Sequence, residues 1–380
     1  MLIRSPRIKS IIKYFLPPMM ISAYQYFLQL RQRNKKFELW WKGYTGKNNL
    51  PTDLIFMVDY FITRPSFKEC SRYWHWLNIK NIQQISDSGY DNFKQTVAKN
   101  YFTWVGGLDT PYTRNLLNNI KDISIDLPAK EILRKHSDFT FEESVLYNVV
   151  TVLLLEHLLE NGGGKYIELL EEPLEGNPPS LDFSGKTVSQ DILNSILEYM
   201  AISKGCDLNK VSTILELGAG SGRTAFCMLK LLPGIKYIIV DIPPALFISQ
   251  TYLSKVFKEK KIFSFRPFNA FSDIKDEFKS SDIVFLMPDQ IELLPQKTVD
   301  LFLAIDCLHE MKTEQVQRYF DHVDKLAKLF FFKCWENTTV PFDNIKHASE
   351  FYPVKDNWHK IYKEACKVPA SYFEAFYEIK

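Results

Sequence analysis

Downstream of Val211 the chain reads as short, almost wholly apolar runs separated by stretches with a single apolar stripe. The runs are Thr213–Leu217, Tyr237–Val240, Ile283–Met287, Leu301–Ile305 and Leu329–Lys333. Short runs of this kind are strands buried on both faces. Val316, Tyr319, Phe320, Val323 and Leu326 recur at helical spacing and predict a helix from Thr313 to Leu329. Pro243-Pro244 opens another helix through Phe257, since proline is tolerated in a first turn. Strands alternating with helices predict a parallel sheet covered on both faces. The last stretch, His359–Lys367 and Tyr372–Ile379, reads as two strands joined by a short proline-containing turn.

Upstream the pattern is helical. Thr140 and Glu143 fit a capping box, and the helix behind them, Phe141–Glu160, is apolar on nearly all sides from Val145 to Leu155. Such a helix is buried, and its apolar run is too short to span a bilayer. Gly162-Gly163-Gly164 ends it, and a loop from Glu172 to Lys186 carries Gly176-Asn177-Pro178-Pro179. A helix over Ser189–Ile202 then leads into the first strand. Trp40, Trp41, Tyr44, Trp74, Trp76, Tyr101, Phe102 and Trp104 mark an aromatic-rich region that either fills a core or stacks on sugar rings. Three parts result: a basic segment 1–37, a mainly helical region 38–185, and an α/β domain 186–380.

Composition narrows the classes. A length of 380 residues suits about two domains, and 46% apolar with 24% charged residues is ordinary for a globular protein. The net charge of +2 argues against a general nucleic-acid binder. Residues 1–37 hold eight basic residues and no acid, so the remainder carries −6. Within that segment Ile11–Leu30 is apolar and aromatic, but Lys13 and Pro17-Pro18 interrupt it and no small-residue cleavage site follows. It reads either as a stretch lying on an anionic membrane surface or as a helix packed on its own domain. The six scattered cysteines include no C-x-x-C pair, which disfavours a zinc knuckle or a disulfide scaffold and suits a reducing cytoplasm. The membrane reading would place the protein at the inner membrane face.

The chemistry concentrates at Glu216-Leu217-Gly218-Ala219-Gly220-Ser221-Gly222, between the first strand and a helix, with Asp241 and Ile242 at the tip of the next strand. Alternating glycines let a ligand lie against bare backbone, and an acid at that tip accepts both ribose hydroxyls of a nucleoside. A dinucleotide site needs G-x-G-x-x-G, but its third glycine position is Arg223 here. The observed spacing suits S-adenosylmethionine instead. The cofactor set is then Glu216 toward the α-amino group, Gly218, Ala219, Gly220 and Gly222 under the adenosine, Asp241 and Ile242 at the ribose, and Asp289 or Gln290 toward adenine.

After the fourth strand comes Asp306-Cys307-Leu308-His309-Glu310-Met311. Methyl transfer to a hydroxyl needs alignment and a proton acceptor, and histidine is matched to that task near neutral pH. His309 is the candidate base, with Glu310 or Asp306 orienting it. The same cluster could hold a divalent metal, or His309 could be a structural residue capping a carbonyl. No metal is assigned. His347 and His359 are weaker alternatives, because nothing in the sequence fixes their orientation.

The runs EGNPPS (175–180), SQDILNSILEY (189–199), LELGAGSGRTA (215–225), YIIVDIPPALFISQTYL (237–253), DLFLAIDCLHEM (300–311) and FFKCW (331–335) together resemble the sugar O-methyltransferases of bacterial surface-polysaccharide gene clusters. That group is a branch of the class I S-adenosylmethionine-dependent methyltransferases. The resemblance runs from roughly Glu172 to the C-terminus. It implies a Rossmann-like domain with a mostly parallel seven-stranded sheet and a C-terminal antiparallel hairpin, behind a mainly helical N-terminal region. It also implies cofactor contacts from Gly218, Gly220 and Asp241, a Gly176–Pro178 loop and Gln190 near the same pocket, and His309 with Glu310 in the active-site loop. The implied acceptor is a sugar, nucleotide-activated or lipid-linked, with choice of acceptor residing in the less similar first 130 residues. Rival readings are methyl transfer to a natural product, protein or RNA, a cofactor-binding scaffold without turnover, and an NAD-dependent oxidoreductase. If 1–37 is a membrane-surface segment, the full chain sediments with anionic vesicles and a 1–37 deletion does not; a full chain that stays in the supernatant removes the idea.

Overall fold

The computed structural model describes residues 37–97, 118, 125, 127–368 and 371–380. Residues 1–36 of the basic segment, and Tyr101, Phe102 and Trp104, lie outside the described residues.

One sheet organises the chain. Its strands are β1 (Thr213–Leu217), β2 (Lys236–Val240), β3 (Ile262–Phe263), β4 (Ile283–Leu286), β5 (Val299–Ile305), β6 (Ala327–Trp335), β7 (His359–Ala365) and β8 (Tyr372–Glu378). The order across the eight-stranded sheet is β7-β8-β6-β5-β1-β2-β4-β3. From β3 to β6 all neighbours are parallel, and β8 and β7 add antiparallel partners at one edge. Seven strands were expected from the sequence and eight are present. The addition is β3, whose two residues give no periodicity to read and which pairs only with β4.

The boundaries that moved did so because of pairing. β6 runs nine residues rather than the expected Leu329–Lys333, since β8 pairs with it from Leu329↔Glu378 to Trp335↔Tyr372. The preceding helix accordingly stops at Leu326. Two small hairpins lie outside the main sheet. Leu181–Phe183 pairs with Lys186–Val188 inside the expected loop, and Asn337–Val340 pairs with Ile345–Ala348. The first turns through Ser184 and Gly185, both at positive φ, the twist that a two-residue hairpin favours. Its three-residue strands are too short for a sequence pattern.

The helices used below are α1 (Phe37–Gly43), α2 (Thr52–Phe61), α3 (Arg72–Ser88), α4 (Phe141–Glu160), α5 (Gln190–Gly205), α6 (Arg223–Leu231), α7 (Ala245–Val256) and α8 (Thr313–Leu326). α4 begins at the predicted capping box, with Thr140 Oγ1 accepting from Glu143 N–H and Glu143 returning to Thr140 N–H. Its middle is buried all round. Two apolar clusters cover the sheet. On one face Ile214, Tyr237 and Phe331 meet α4 to α7, and the same cluster continues without a break to Phe37, Trp41, Met57 and Phe61 of the N-terminal helices. On the other face Leu215, Phe302 and Phe330 meet Phe320 of α8 and Trp358. Trp41 is fully buried and Trp40 stacks on Tyr44, so these aromatics fill core.

Buried charge ties the layers together. Arg223, first residue of α6, forks onto Glu198 of α5 with bonds of 2.7 and 2.9 Å and also donates to Ser195 Oγ. Lys333 of β6 reaches the same carboxylate at 3.3 Å, and Thr224 donates to it. The two cations hold the Glu198 carboxyl below the ordinary range although burial opposes them. A second buried group joins Lys94, Glu172, Ser189 and Tyr252. Removing one partner of a buried pair leaves an uncompensated charge. Glu198→Ala is therefore expected to lower unfolding free energy by about 3–5 kcal/mol in denaturant titrations. Lys42→Met, at the exposed pair with Glu38, should change it by less than about 1 kcal/mol. Equal effects would mean that the Glu198 cluster does not clamp the fold.

Candidate active site

β1 leaves the sheet at Gly218, whose N–H donates to Val240 O at 2.8 Å. Gly218, Gly220 and Gly222 all have positive φ, at 72°, 59° and 85°. This alternation is why glycine recurs at every second position: side-chain-bearing residues rarely adopt that backbone. At Gly218 a Cβ would also lie 2.7 Å from the Cys307 Cβ, so the bend packs directly on the loop after β5. Gly222 is the N-cap of α6.

Asp241 follows β2 and turns toward the bend. Its Oδ2 accepts from Gly220 N–H at 2.8 Å and its Oδ1 from Ile242 N–H at 2.7 Å. Burial pushes its carboxyl up to about 7, and the two N–H donors work against that rise. Each carboxylate oxygen keeps a further lone pair for a ligand hydroxyl. A cavity opens here at the carboxyl ends of the strands, where open α/β sheets place ligands. Its wall includes Gly218, Gly220, Asp241, Ile242, Asp306 and Glu310.

The sequence-based expectations divide at this point. The structure gathers Gly218, Gly220, Asp241, Ile242, Asp306 and Glu310 around one cavity. Ala219 and Gly222 shape the bend behind it, Gly222 N–H donating to Ala219 O. Glu216 is elsewhere. Its side chain takes the Tyr237 phenol at 2.8 Å and is buried, with its carboxyl pushed up to about 7 by burial and held down by that bond. Period-two alternation explains this: Glu216 points to the face of Ile214, away from the cavity. Gln290 is also committed. Its Oε1 accepts from Met287 N–H at 2.9 Å and its Nε2 donates to Arg266 O at 2.8 Å, so both ends of the amide are engaged in closing a turn. Asp289 accepts from Tyr60 of α2, and burial raises its carboxyl, but its Oδ1 is buried without a partner. Gln190 donates to Tyr147 O, and the Gly176–Pro178 loop packs on Phe93 and Lys94.

The loop after β5 is held in an unusual conformation. Asp306 has φ of 57°, a left-handed geometry that Asp tolerates better than most residues. Tyr372 of β8 donates to Asp306 Oδ1 at 2.8 Å. His309 Nε2 lies 3.6 Å from that same oxygen, and its Nδ1 is buried with no hydrogen-bond partner. Burial drives the His309 imidazole down to about 4, with Asp306 opposing the shift. The ring is therefore neutral at physiological pH, with an open acceptor. Glu310 is raised well above the carboxylate range by burial and then by Asp306, and the Tyr73 phenol beside it counteracts this. His347 is tied to Met311 O at 2.8 Å, and His359 lies in β7. Among the described residues no group of three or more His, Cys, Asp or Glu side chains is arranged to hold a metal ion.

Cys70, Trp74 and Leu77, at and within α3, close the cavity from the N-terminal side, and Gln315 and Tyr319 of α8 complete it. None is recognisable from sequence spacing, because each reaches the site only through packing. The enclosed space is about 50 Å³, less than a nucleoside needs. In donor set the site nevertheless fits an adenosyl group. A glycine bend lies under it, a carboxylate faces the ribose position, and Gln315 Oε1 on the cavity wall is buried without a partner. Buried polar atoms are ordinarily satisfied, and a ligand would satisfy them. Binding then requires the Trp74–Leu77 wall to yield.

No family model matches the chain, and no curated protein does. Solved structures with partial likeness include the mitomycin 7-O-methyltransferase MmcR, at 13% identity and TM-score 0.35 over 50% of this chain and 57% of that one. A SAM-dependent methyltransferase from Aquifex aeolicus shows 13% identity and TM-score 0.33 over 48% of this chain and 89% of its own. The glycopeptide N-methyltransferase MtfA, solved with S-adenosyl-L-methionine, shows 11% identity and TM-score 0.33 over 49% and 87%. This chain thus spans little more than half of MmcR, and likeness at this level names no activity for it.

Proposed function

We propose that the chain is an S-adenosylmethionine-dependent methyltransferase acting on a hydroxyl group, and that the acceptor is a sugar of a surface polysaccharide or glycolipid precursor in the cytoplasm. The observation that carries the cofactor reading is the Asp241 carboxylate turned onto Gly220 in a cavity whose far wall is Asp306 and Glu310. Arg223 supports it against a dinucleotide. Its guanidinium is buried on Glu198 rather than presented to a pyrophosphate. The sugar acceptor rests on the sequence resemblance and is the finer part of the proposal. No described helix is long and apolar enough to cross a membrane.

When bound, S-adenosylmethionine supplies a methyl group already activated on a sulfonium. The chain's own residues do the rest. The Gly218–Gly222 backbone bears the adenosine, and Asp241 accepts from the ribose hydroxyls. Asp289, whose Oδ1 is buried without a partner, is the residue assigned to the adenine end. Asp306 lies 3.6 Å from His309 Nε2, beyond hydrogen-bond reach, and the buried, unpartnered Nδ1 would take the proton of the acceptor hydroxyl once the acceptor reaches it. The imidazolium so formed lies beside the Asp306 carboxylate, which opposes but does not overcome the burial that holds the imidazole down to about 4. α3 shields the cavity from water.

Two outcomes test this. His309→Ala should keep the calorimetric affinity for S-adenosylhomocysteine while losing ~10²–10⁴-fold in methyl-transfer rate, measured with label-carrying cofactor and polysaccharide precursors. An unchanged rate removes His309 from the chemistry. Asp241 titrates near 7, so its carboxylate is lost as pH falls from 8 to 6, and affinity for S-adenosylhomocysteine should weaken over that window. Asp241→Asn should bind weakly with a flat profile. The same raised value means that the ligand-free fold loses the benefit of the neutral acid as pH rises through about 7. A wild-type affinity independent of pH would dissociate Asp241 from the ribose.

A further inference from the structure

Trp335 is a large aromatic side chain that the core does not absorb. It is the last residue of β6, at the carboxyl edge of the sheet, and is 39% exposed. Among the described residues its ring neighbours are Tyr372, 4.8 Å away and tilted by 40°, and His309, 6.5 Å away and edge-on at 68°. Neither stacks flat on it. Both neighbours converge on one atom: Tyr372 donates to Asp306 Oδ1, and His309 Nε2 lies 3.6 Å from it. An exposed indole, a carboxylate and an imidazole with an unpartnered Nδ1 thus share one flank of the active-site loop.

Resting on the methyl-transfer reading above, we propose that Trp335 is the acceptor platform: a pyranose lays a C–H face on the indole and turns a ring hydroxyl to the Asp306 carboxylate, beside the buried His309 ring. The chemistry of a pyranose matches this flank. Its axial C–H groups form an apolar face that the electron-rich indole attracts, while its hydroxyl rim needs acceptors such as the Asp306 carboxylate. Trp74 differs in kind, because it lines the cavity assigned to the cofactor. Asp306 lines that cavity and Trp335 does not, so donor and acceptor would meet at the Asp306–His309 pair. Trp335 sets which ring is presented; His309 handles the proton.

The test uses full-length protein carrying 5-fluorotryptophan, with the Trp335 resonance assigned from Trp335→Phe. Methyl hexopyranosides, and separately simple phenols, are titrated with S-adenosylhomocysteine present. A pyranoside should move the Trp335 resonance saturably. Trp335→Ala should weaken that pyranoside about tenfold or more, with Trp335→Phe recovering most of it and neither changing S-adenosylhomocysteine affinity. A Trp335 signal that follows a phenol and no pyranoside, or follows neither while S-adenosylhomocysteine binds, overturns the platform. Failure of wild-type protein to bind S-adenosylhomocysteine overturns the cofactor reading instead, and the pyranoside titration then decides Trp335 without it.

Discussion

The buried Glu198 carboxylate is the interaction on which the arrangement depends. It receives the Arg223 fork from the first turn of α6 and the Lys333 ammonium from β6. Arg223 directly follows Gly222, so the glycine bend is anchored at its exit by a charge pair with almost no solvent contact. Lys333 O accepts the Asp306 N–H, so the same cluster borders the loop that carries His309. One carboxylate therefore fixes the bend and the acid–imidazole loop against each other. Burying three charges is expensive unless all are matched, and here two cations share one acid through hydrogen bonds of 2.7 to 3.3 Å.

Around that anchor the site is assembled from distant parts of the chain. β1 and β2 supply the bend and Asp241, the loop after β5 supplies Asp306 to Glu310, and α3 closes the cavity. The hairpin following β6 meets α3 as well, with Asp343 accepting from Arg72 N–H and Phe342 against Trp76. The apolar core is continuous from α1 to the sheet, and Trp74 and Leu77 of the helical region form part of the cavity wall. Burial sets the electrostatics: Asp241 is raised to about 7 and His309 lowered to about 4. Both shifts favour neutral groups until a charged or polar ligand arrives.

Legibility in the sequence followed the range of the forces involved. The strands between Thr213 and Ile305, β3 excepted, were readable because burial on both faces demands unbroken apolar runs. The glycine bend was readable because positive φ excludes most other residues at Gly218, Gly220 and Gly222. The capping box at Thr140 was readable because its partners are three residues apart. Glu216 and Gln290 misled for one reason: each is polar and adjacent to the site, but a long-range partner, Tyr237 or the Arg266 carbonyl, had claimed it. β3 and the two small hairpins carry too few residues for any period to show.

What the sequence determined alone is local and steric: alternating strands and helices, a bend only glycine can make, an acid at the tip of the second strand, and a histidine after β5. These follow from burial periodicity and backbone geometry, which act between near neighbours. Tertiary structure decided which polar groups remain available. It turned Asp241 onto the bend and Glu216 away from it, left His309 Nδ1 and Asp289 Oδ1 without partners, and brought α3 across the cavity. Those outcomes depend on hydrogen bonds and packing between residues far apart in the chain, and no spacing along it records them.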